Sequence, residues 1–399
     1  MTSTAESSSP PAKPLKVLFL SAEGLVGGAE RSLYEVLCAL PEERVEAHAC
    51  VPPEGPLARL FALAEVFVHP VPLRRFRRTV HPFLLAGQVR ALFQASRSIR
   101  EVIKTHGIQL LHANTDSAAL VAWEVSRETG LPMLWHCRDM QPLGPLGRIL
   151  AHKASRAVAI SDAVSEHLKK HGIPARKIKV VKNGIDLLRF HSAEERPVAR
   201  RRARAYLGIP DDAPLLIDIG GWVPWKRHEL FMEALARIRM KHPQVRGLLV
   251  GSDLFQQNAG YARLLETRAQ NLGLGDDALL VLQQREDVPD LLAASDLLVH
   301  PSDREPFGRV IAEAGAAGMP VVATDSGGKR EIVKDGQTGL LTEPGDAAAL
   351  AQACLDLIED PARRNKMGEH ARKRIRKYFD VHRTADELAE LYEKVVGEK

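Results

Sequence analysis

Short, uninterrupted apolar runs recur along this chain and alternate with stretches whose apolar positions repeat at helical spacing. The first run, residues 15–21 (LKVLFLS), has the pattern of a strand buried on both faces. A loop with Gly24, Gly27 and Gly28 follows, then an amphipathic stretch, AERSLYEVLCAL, from Ala29. Strand, glycine loop and helix in that order make the first half of a βα unit. Similar runs at 46–51, 66–71, 110–113, 133–136, 157–160 and 178–181 predict further strands, with helical stretches between most of them. A second alternating series begins at 215–219 and continues through 247–251, 279–282, 297–301, 321–324 and 339–341; residues 347–399 then read as helix. Alternation of this kind predicts an α/β fold of parallel sheets covered on both faces.

The composition changes between the two series, where Arg200, Arg201, Arg202 and Arg204 cluster after Phe190. The expected organisation is a Ser/Pro-rich disordered tail at 1–14 and a Rossmann-like domain at 15–195. A second such domain follows at 196–375, and a terminal helix at 376–399 is expected to pack back on the first domain. Two Rossmann-like domains would face a central cleft, and such clefts are preferred ligand sites.

At 399 residues the chain is long enough for two cores. Its net charge of +5 against 50 acidic residues suits anionic substrates or an anionic membrane surface without demanding nucleic acid. The four cysteines are scattered with no C-x-x-C pair, which argues against zinc and for reduced thiols in the cytosol. The tail lacks the apolar core of a signal peptide, and no run approaches a membrane span, so the expected location is the cytoplasm.

Several positions invite chemistry. Residues 305–320, EPFGRVIAEAGAAGMP, offer two carboxylates, Glu305 and Glu313, around a helix start marked by Pro306 and Gly308. Unpartnered amides at such a start attract anions, and carboxylates accept from hydroxyls, so the segment suits a sugar nucleotide. Gly27 and Gly28 let backbone approach a ligand, although the loop is not G-x-G-x-x-G. Lys226 lies between a strand end and a helix start, where a cation can neutralise phosphate. Two histidines sit at strand ends, His112 and His136; the second, followed by Arg138 and Asp139, is the better candidate for substrate contact. Residues 73–80, LRRFRRTV, place Arg74, Arg75, Arg77 and Arg78 around Phe76. This patch could sit on anionic lipid or an anionic acceptor; a solvated loop is the plainer reading, and no RNA-binding signature accompanies it.

In order and spacing these features resemble the retaining glycosyltransferases of the GT-B fold, family 4. The resembling segments are GGAER at 27–31, strand-end His136, AISDAV at 159–164, NGID at 183–186 and Lys226. They continue with VHPSDREPFGRVIAEAGAAGMPVVATDSGG at 299–328 and GQTGLL near 336–341. The resemblance implies that Glu305 binds hydroxyls of the transferred sugar and Glu313 the ribose. Backbone amides around Phe307 and Gly308 would hold sugar or phosphate, and Lys226 would neutralise the diphosphate. Gly28 would let the N-terminal loop close over the donor, and His136 would touch the donor sugar. It implies no cofactor beyond a nucleoside diphosphate sugar and no metal, in keeping with the lack of any Asp-x-Asp. The expected acceptor is a glycan or lipid-linked hydroxyl, reached with peripheral contact at the inner face of the plasma membrane. One position departs from the family, which often carries an Arg where this chain has Trp222. Arg227 takes over, Lys226 works with fewer cations, or the phosphate site is degraded. A sugar-nucleotide epimerase of the same architecture and a non-catalytic sugar-nucleotide binder are the alternative functions.

Overall fold

The structure is a computed structural model and describes residues 13–76, 81–142 and 144–398. It contains two sheets. The first holds seven strands: β1 (Leu15–Leu20), β2 (Val45–Val51), β3 (Phe67–Pro70), β4 (Leu110–Ala113), β5 (Met133–Cys137), β6 (Arg156–Ala159) and β7 (Ile178–Val180), in the order β3-β2-β1-β4-β5-β6-β7. The second holds six: β8 (Leu215–Ile219), β9 (Arg246–Val250), β10 (Leu279–Leu282), β11 (Leu297–His300), β12 (Val321–Thr324) and β13 (Gly339–Thr342), in the order β10-β9-β8-β11-β12-β13. The described pairings are parallel. The expected α/β class with two parallel sheets is therefore the one observed.

Each sheet reverses its strand order once, between β1 and β4 in the first and between β8 and β11 in the second. At such a switch point the connections leaving neighbouring strands diverge to opposite faces and open a crevice beyond the carboxyl ends. The two switch points are where chemistry is expected.

By their contacts the residues gather into two compact units: Met1–His136 with Pro145–Ala157 and Ala385–Lys399, and Cys137–Gly144 with Val158–Thr384. In the first, β1, β4 and β5 are buried along most of their length, as their unbroken apolar runs require. The end of the helix Val381–Gly397 belongs to this unit. Its Tyr392 is fully buried, and Arg44 holds Glu393 through two hydrogen bonds of 2.8 and 2.9 Å. In the second unit, Phe231, Leu235 and Ile238 of the helix His228–Arg239 pack with Leu216, Leu249, Leu297 and Val322 of the sheet and with Leu350 and Leu357 of the helix Ala347–Ile358. Burying side chains of this size stabilises by roughly 1.5–3 kcal/mol each. The arginine-rich segment folds as the helix Arg196–Leu207, and Arg204 is fully buried. Its guanidinium donates to the Ala294 and Ala213 carbonyls at 2.9 and 2.8 Å and to Asp296 at 2.9 Å. Among the described residues no helix is long and apolar enough to cross a membrane.

Candidate active site

The switch point of the six-stranded sheet gathers charge. Lys226 lies in the turn Pro224–Lys226 after β8, and Glu305 lies in the loop after β11. The two side chains meet at 2.7 Å, with 15% and 8% of their side-chain surface exposed. The same carboxylate oxygen, Oε2, is 2.9 Å from His300 Nε2 and accepts from Ser302 Oγ at 3.3 Å. Burial works to raise the Glu305 pKa, but the Lys226 charge and the His300 hydrogen bond outweigh it and hold the carboxyl well below its usual range. The group is an anion at any physiological pH. The His300 pKa is lowered as well, since burial outweighs the opposing hydrogen bond to Glu305.

A second layer supports this pair. Asp218, a charged residue inside β8, takes a 2.6 Å hydrogen bond with His228 Nδ1, both groups being buried. Its other oxygen is 4.0 Å from His300 Nδ1. Lys329, with no exposed surface, donates to the Ser302 carbonyl and to Thr324 Oγ1, each at 2.5 Å. Burial lowers the Lys329 pKa to about 7 against the opposing pull of Glu305.

The backbone around Glu305 is packed tightly enough to need glycine. Gly327 has φ +61°, and a Cβ there would lie 2.3 Å from the Glu305 carbonyl. A Cβ on Gly328 would lie 2.6 Å from the Pro306 carbonyl, and the Gly328 amide donates to Glu305 O at 2.8 Å. The Ser161 hydroxyl donates to the Pro306 carbonyl at 2.5 Å, and the Phe307 ring is buried 5.8 Å from that of Phe379. Gly308, at φ +100°, starts the helix Arg309–Ala316. Glu313 lies within that helix, mostly buried, 2.9 Å from Arg309 Nε.

Arg227 and Trp222, the two positions around the departure from the family pattern, are both engaged elsewhere. Arg227 adopts a left-handed conformation and is engaged by Glu229 at 2.6 Å and Asp303 at 3.0 Å. Trp222 is partly buried against the core of its unit, with its indole nitrogen 3.2 Å from where a Cβ of Gly251 would be.

The switch point of the seven-stranded sheet carries a line of hydrogen-bonded rings. His136, at the end of β5, presents Nδ1 to His112 Nε2 at 3.0 Å, and Tyr392 OH is 2.8 Å from His112 Nδ1. Phe19 of β1 packs on the His112 ring, 5.0 Å between centroids. Gly27 caps the helix Gly28–Ala39, and a Cβ on Gly28 would meet nothing within 4 Å. The close backbone approach in this loop occurs instead at Gly24 and Gly55, whose Cβ atoms would lie 2.2 and 2.3 Å from each other's neighbouring carbonyls, Glu54 and Gly24. Of the basic patch, Arg74 and Arg75 are exposed, and Arg75 is 3.5 Å from Glu23. Arg77 and Arg78 lie outside the described residues.

Sequence reasoning missed Asp218, His228, His300, Ser302 and Lys329. The signal was there for two of them: an Asp inside LLIDI and a His closing LLVH are polar breaks in runs that burial requires to be apolar.

Comparison with known proteins identifies the family. A model described as glycosyl transferases group 1 matches residues 199–374, and one described as Glycosyltransferase Family 4 matches residues 26–189. The chain is 32% identical over 320 residues to a D-inositol 3-phosphate glycosyltransferase of Kineococcus radiotolerans, covering 73% of this chain and 72% of that protein. It is 30% identical over 313 residues to the protein of the same name from Streptomyces avermitilis, covering 71% of this chain but only 64% of that protein. Among solved structures, Anabaena Alr3699/HepE in complex with UDP-glucose superposes with a TM-score of 0.81 at 29% identity, covering 95% of this chain and 100% of that one. The two halves of the sequence thus match the two halves of one family, and the chain belongs to glycosyltransferase family 4, the group 1 glycosyltransferases, with the GT-B fold.

Proposed function

We propose that the chain is a retaining glycosyltransferase that moves a hexosyl unit from a UDP-sugar to a hydroxyl acceptor. The observation that carries this reading is the buried Lys226–Glu305 pair at the β8/β11 switch point, beside a helix start. The Anabaena structure with UDP-glucose supports a uridine donor.

Breaking the anomeric C–O bond builds negative charge on the β-phosphate, and groups already positioned there lower the barrier most. Lys226 has three N–H donors and spends one on Glu305, so it can turn others to the phosphate. Glu305, kept ionised, accepts from hexose hydroxyls with its remaining lone pairs and fixes the ring. The amides at Phe307 and Gly308 hold the phosphates, and Glu313 takes the ribose hydroxyls. Pro306 sets the path of the segment and Gly27–Gly28 the loop that approaches the donor. With Arg227 tied to two carboxylates and Trp222 packed against the core, Lys226 works with fewer cations than the family pattern supplies. His136 contacts the sugar, and its ring is oriented by His112 and Tyr392.

The acceptor is a glycan or lipid-linked hydroxyl. The helix Pro82–His106 exposes Phe83 (83%), Leu84 (61%) and Phe93 (54%), downstream of Arg74 and Arg75. Apolar side chains near arginines suit peripheral contact with the anionic inner face of a membrane.

The test is incubation of the purified chain with UDP-, GDP- and ADP-hexoses and a panel of hydroxyl acceptors, with the product's anomeric configuration read by proton NMR. The expected result is transfer from a UDP-hexose with the donor's configuration kept. Inverted product, or an epimerised nucleotide sugar formed without acceptor, would overturn the reading.

A further inference from the structure

Away from both switch points, the edge of the seven-stranded sheet brings together histidines that are distant in sequence. His48 lies in β2, His69 in the edge strand β3, and His106 ends the helix Pro82–His106. Parallel pairing sets Phe67 beside His48 and His69 beside Cys50, so His48 and His69 project from the same face. His48 Nδ1 is 3.0 Å from His69 Nε2, and the His106 ring lies 5.1 and 4.6 Å from the other two, centroid to centroid. One nitrogen from each of the three rings falls within 4.8 Å of the others.

We propose that His48, His69 and His106 bind a divalent transition metal of the zinc class, which fastens the edge strand β3 to β2 and to the helix end. A tetrahedral ion with Zn–N bonds of about 2.0–2.1 Å sets its ligand nitrogens roughly 3.3 Å apart. The His48–His69 separation is already close to that, and small rotations bring in His106. Three imidazoles select zinc, nickel or copper over magnesium or calcium, which prefer oxygen.

The surroundings fit the role. Glu46 Oε1 accepts from His48 Nε2 at 2.8 Å and is itself 3.1 Å from Lys16. A carboxylate behind the distal nitrogen leaves the Nδ1 lone pair facing inward and strengthens it as a ligand. His69 then shifts its proton from Nε2 to Nδ1 to present a second lone pair, with no net proton released. His48 is buried and His69 and His106 are half-buried, which leaves the fourth position to water.

The tag-free full chain, stripped by chelator and dialysed, is titrated with zinc by calorimetry and thermal melting. A single saturable equivalent and a raised Tm are expected, because an ion that binds only the folded state stabilises it. His69→Ala and His106→Ala should each weaken binding by about tenfold or more. His382→Ala, an exposed histidine elsewhere, should change nothing. Cobalt added to the stripped wild type should give visible absorption bands of a low-coordinate ion that zinc abolishes, a readout that needs no variant to fold. Absence of saturable zinc binding, or binding undiminished in the His69→Ala/His106→Ala double variant, would overturn the proposal.

Discussion

The two switch points share a topology and differ in chemistry. At β8/β11 the strand ends carry an ionic network, with Lys226, Glu305, His300, Asp218, His228 and Lys329 buried or nearly so. At β1/β4 and the adjoining end of β5 the buried polar groups include rings in a line, His136, His112 and Tyr392, with the uncharged Ser21 and Asn114 at the ends of β1 and β4. Identical topology therefore does not dictate the chemistry; it sets only where loops diverge, and the residues there decide what can be bound. Fixed charges in a low dielectric suit a diphosphate leaving group. A hydrogen-bonded line of rings suits the fixing of one imidazole's tautomer and orientation.

The strongest way to break this contrast is to discharge the ionic side. Lys226→Ala and Glu305→Ala should each lower transfer by about 100-fold to 1000-fold or abolish it, the range for removing one transition-state contact. Each leaves a buried partner uncompensated, so chemical denaturation should show a loss of about 3–5 kcal/mol. The activity assay is read only on protein whose circular dichroism is native. Normal turnover in both variants would remove this pair from the site.

Disturbing the ring line should do less. Tyr392→Phe keeps the packing and deletes one hydrogen bond, at a stability cost of about 1 kcal/mol. As a positioning change it should lower kcat by roughly 2- to 10-fold with KM for donor nearly constant, whereas His136→Ala should lower kcat by about 100-fold. Equal effects of the two would mean that Tyr392 does more than orient.

Lys329 sharpens the comparison through pH. Its pKa is lowered from 10.5 to about 7 in the fold, so between those values the unfolded chain holds a proton that the native one does not. Stability contributed by this group therefore rises with pH from about 7 to about 10.5, and below that window the buried charge is a penalty. Denaturant midpoints at pH 7 and pH 9 should show the rise in wild type and a smaller one in Lys329→Met. An identical pH slope in both would mean that Lys329 titrates normally.

Much of the fold was legible in sequence because a strand buried on both faces must be an unbroken apolar run, and the predicted runs fall within a residue or so of β1, β4, β5, β8 and β11. Glu305, Gly308 and Lys226 were legible as punctuation, standing where apolar runs end and helices begin. Asp218 and His300 showed only as polar breaks in such runs, and nothing local says what a polar strand residue is there to do. Lys329 follows a Gly-Gly turn and reads as solvated; its burial depends on Gly327 and Gly328 letting their backbone close on Glu305 and Pro306. His48, His69 and His106 have no informative spacing at all, since β-pairing brings the first two together and a helix end delivers the third.

The most direct test of the Glu305–Lys226 site is a calorimetric comparison of UDP with UDP-hexose on wild type and Glu305→Ala. If Glu305 grips the sugar and Lys226 the diphosphate, wild type binds the UDP-hexose more tightly than UDP, and Glu305→Ala abolishes that difference while still binding UDP. An undiminished preference for UDP-hexose in Glu305→Ala, or wild type that binds neither ligand, would contradict the account.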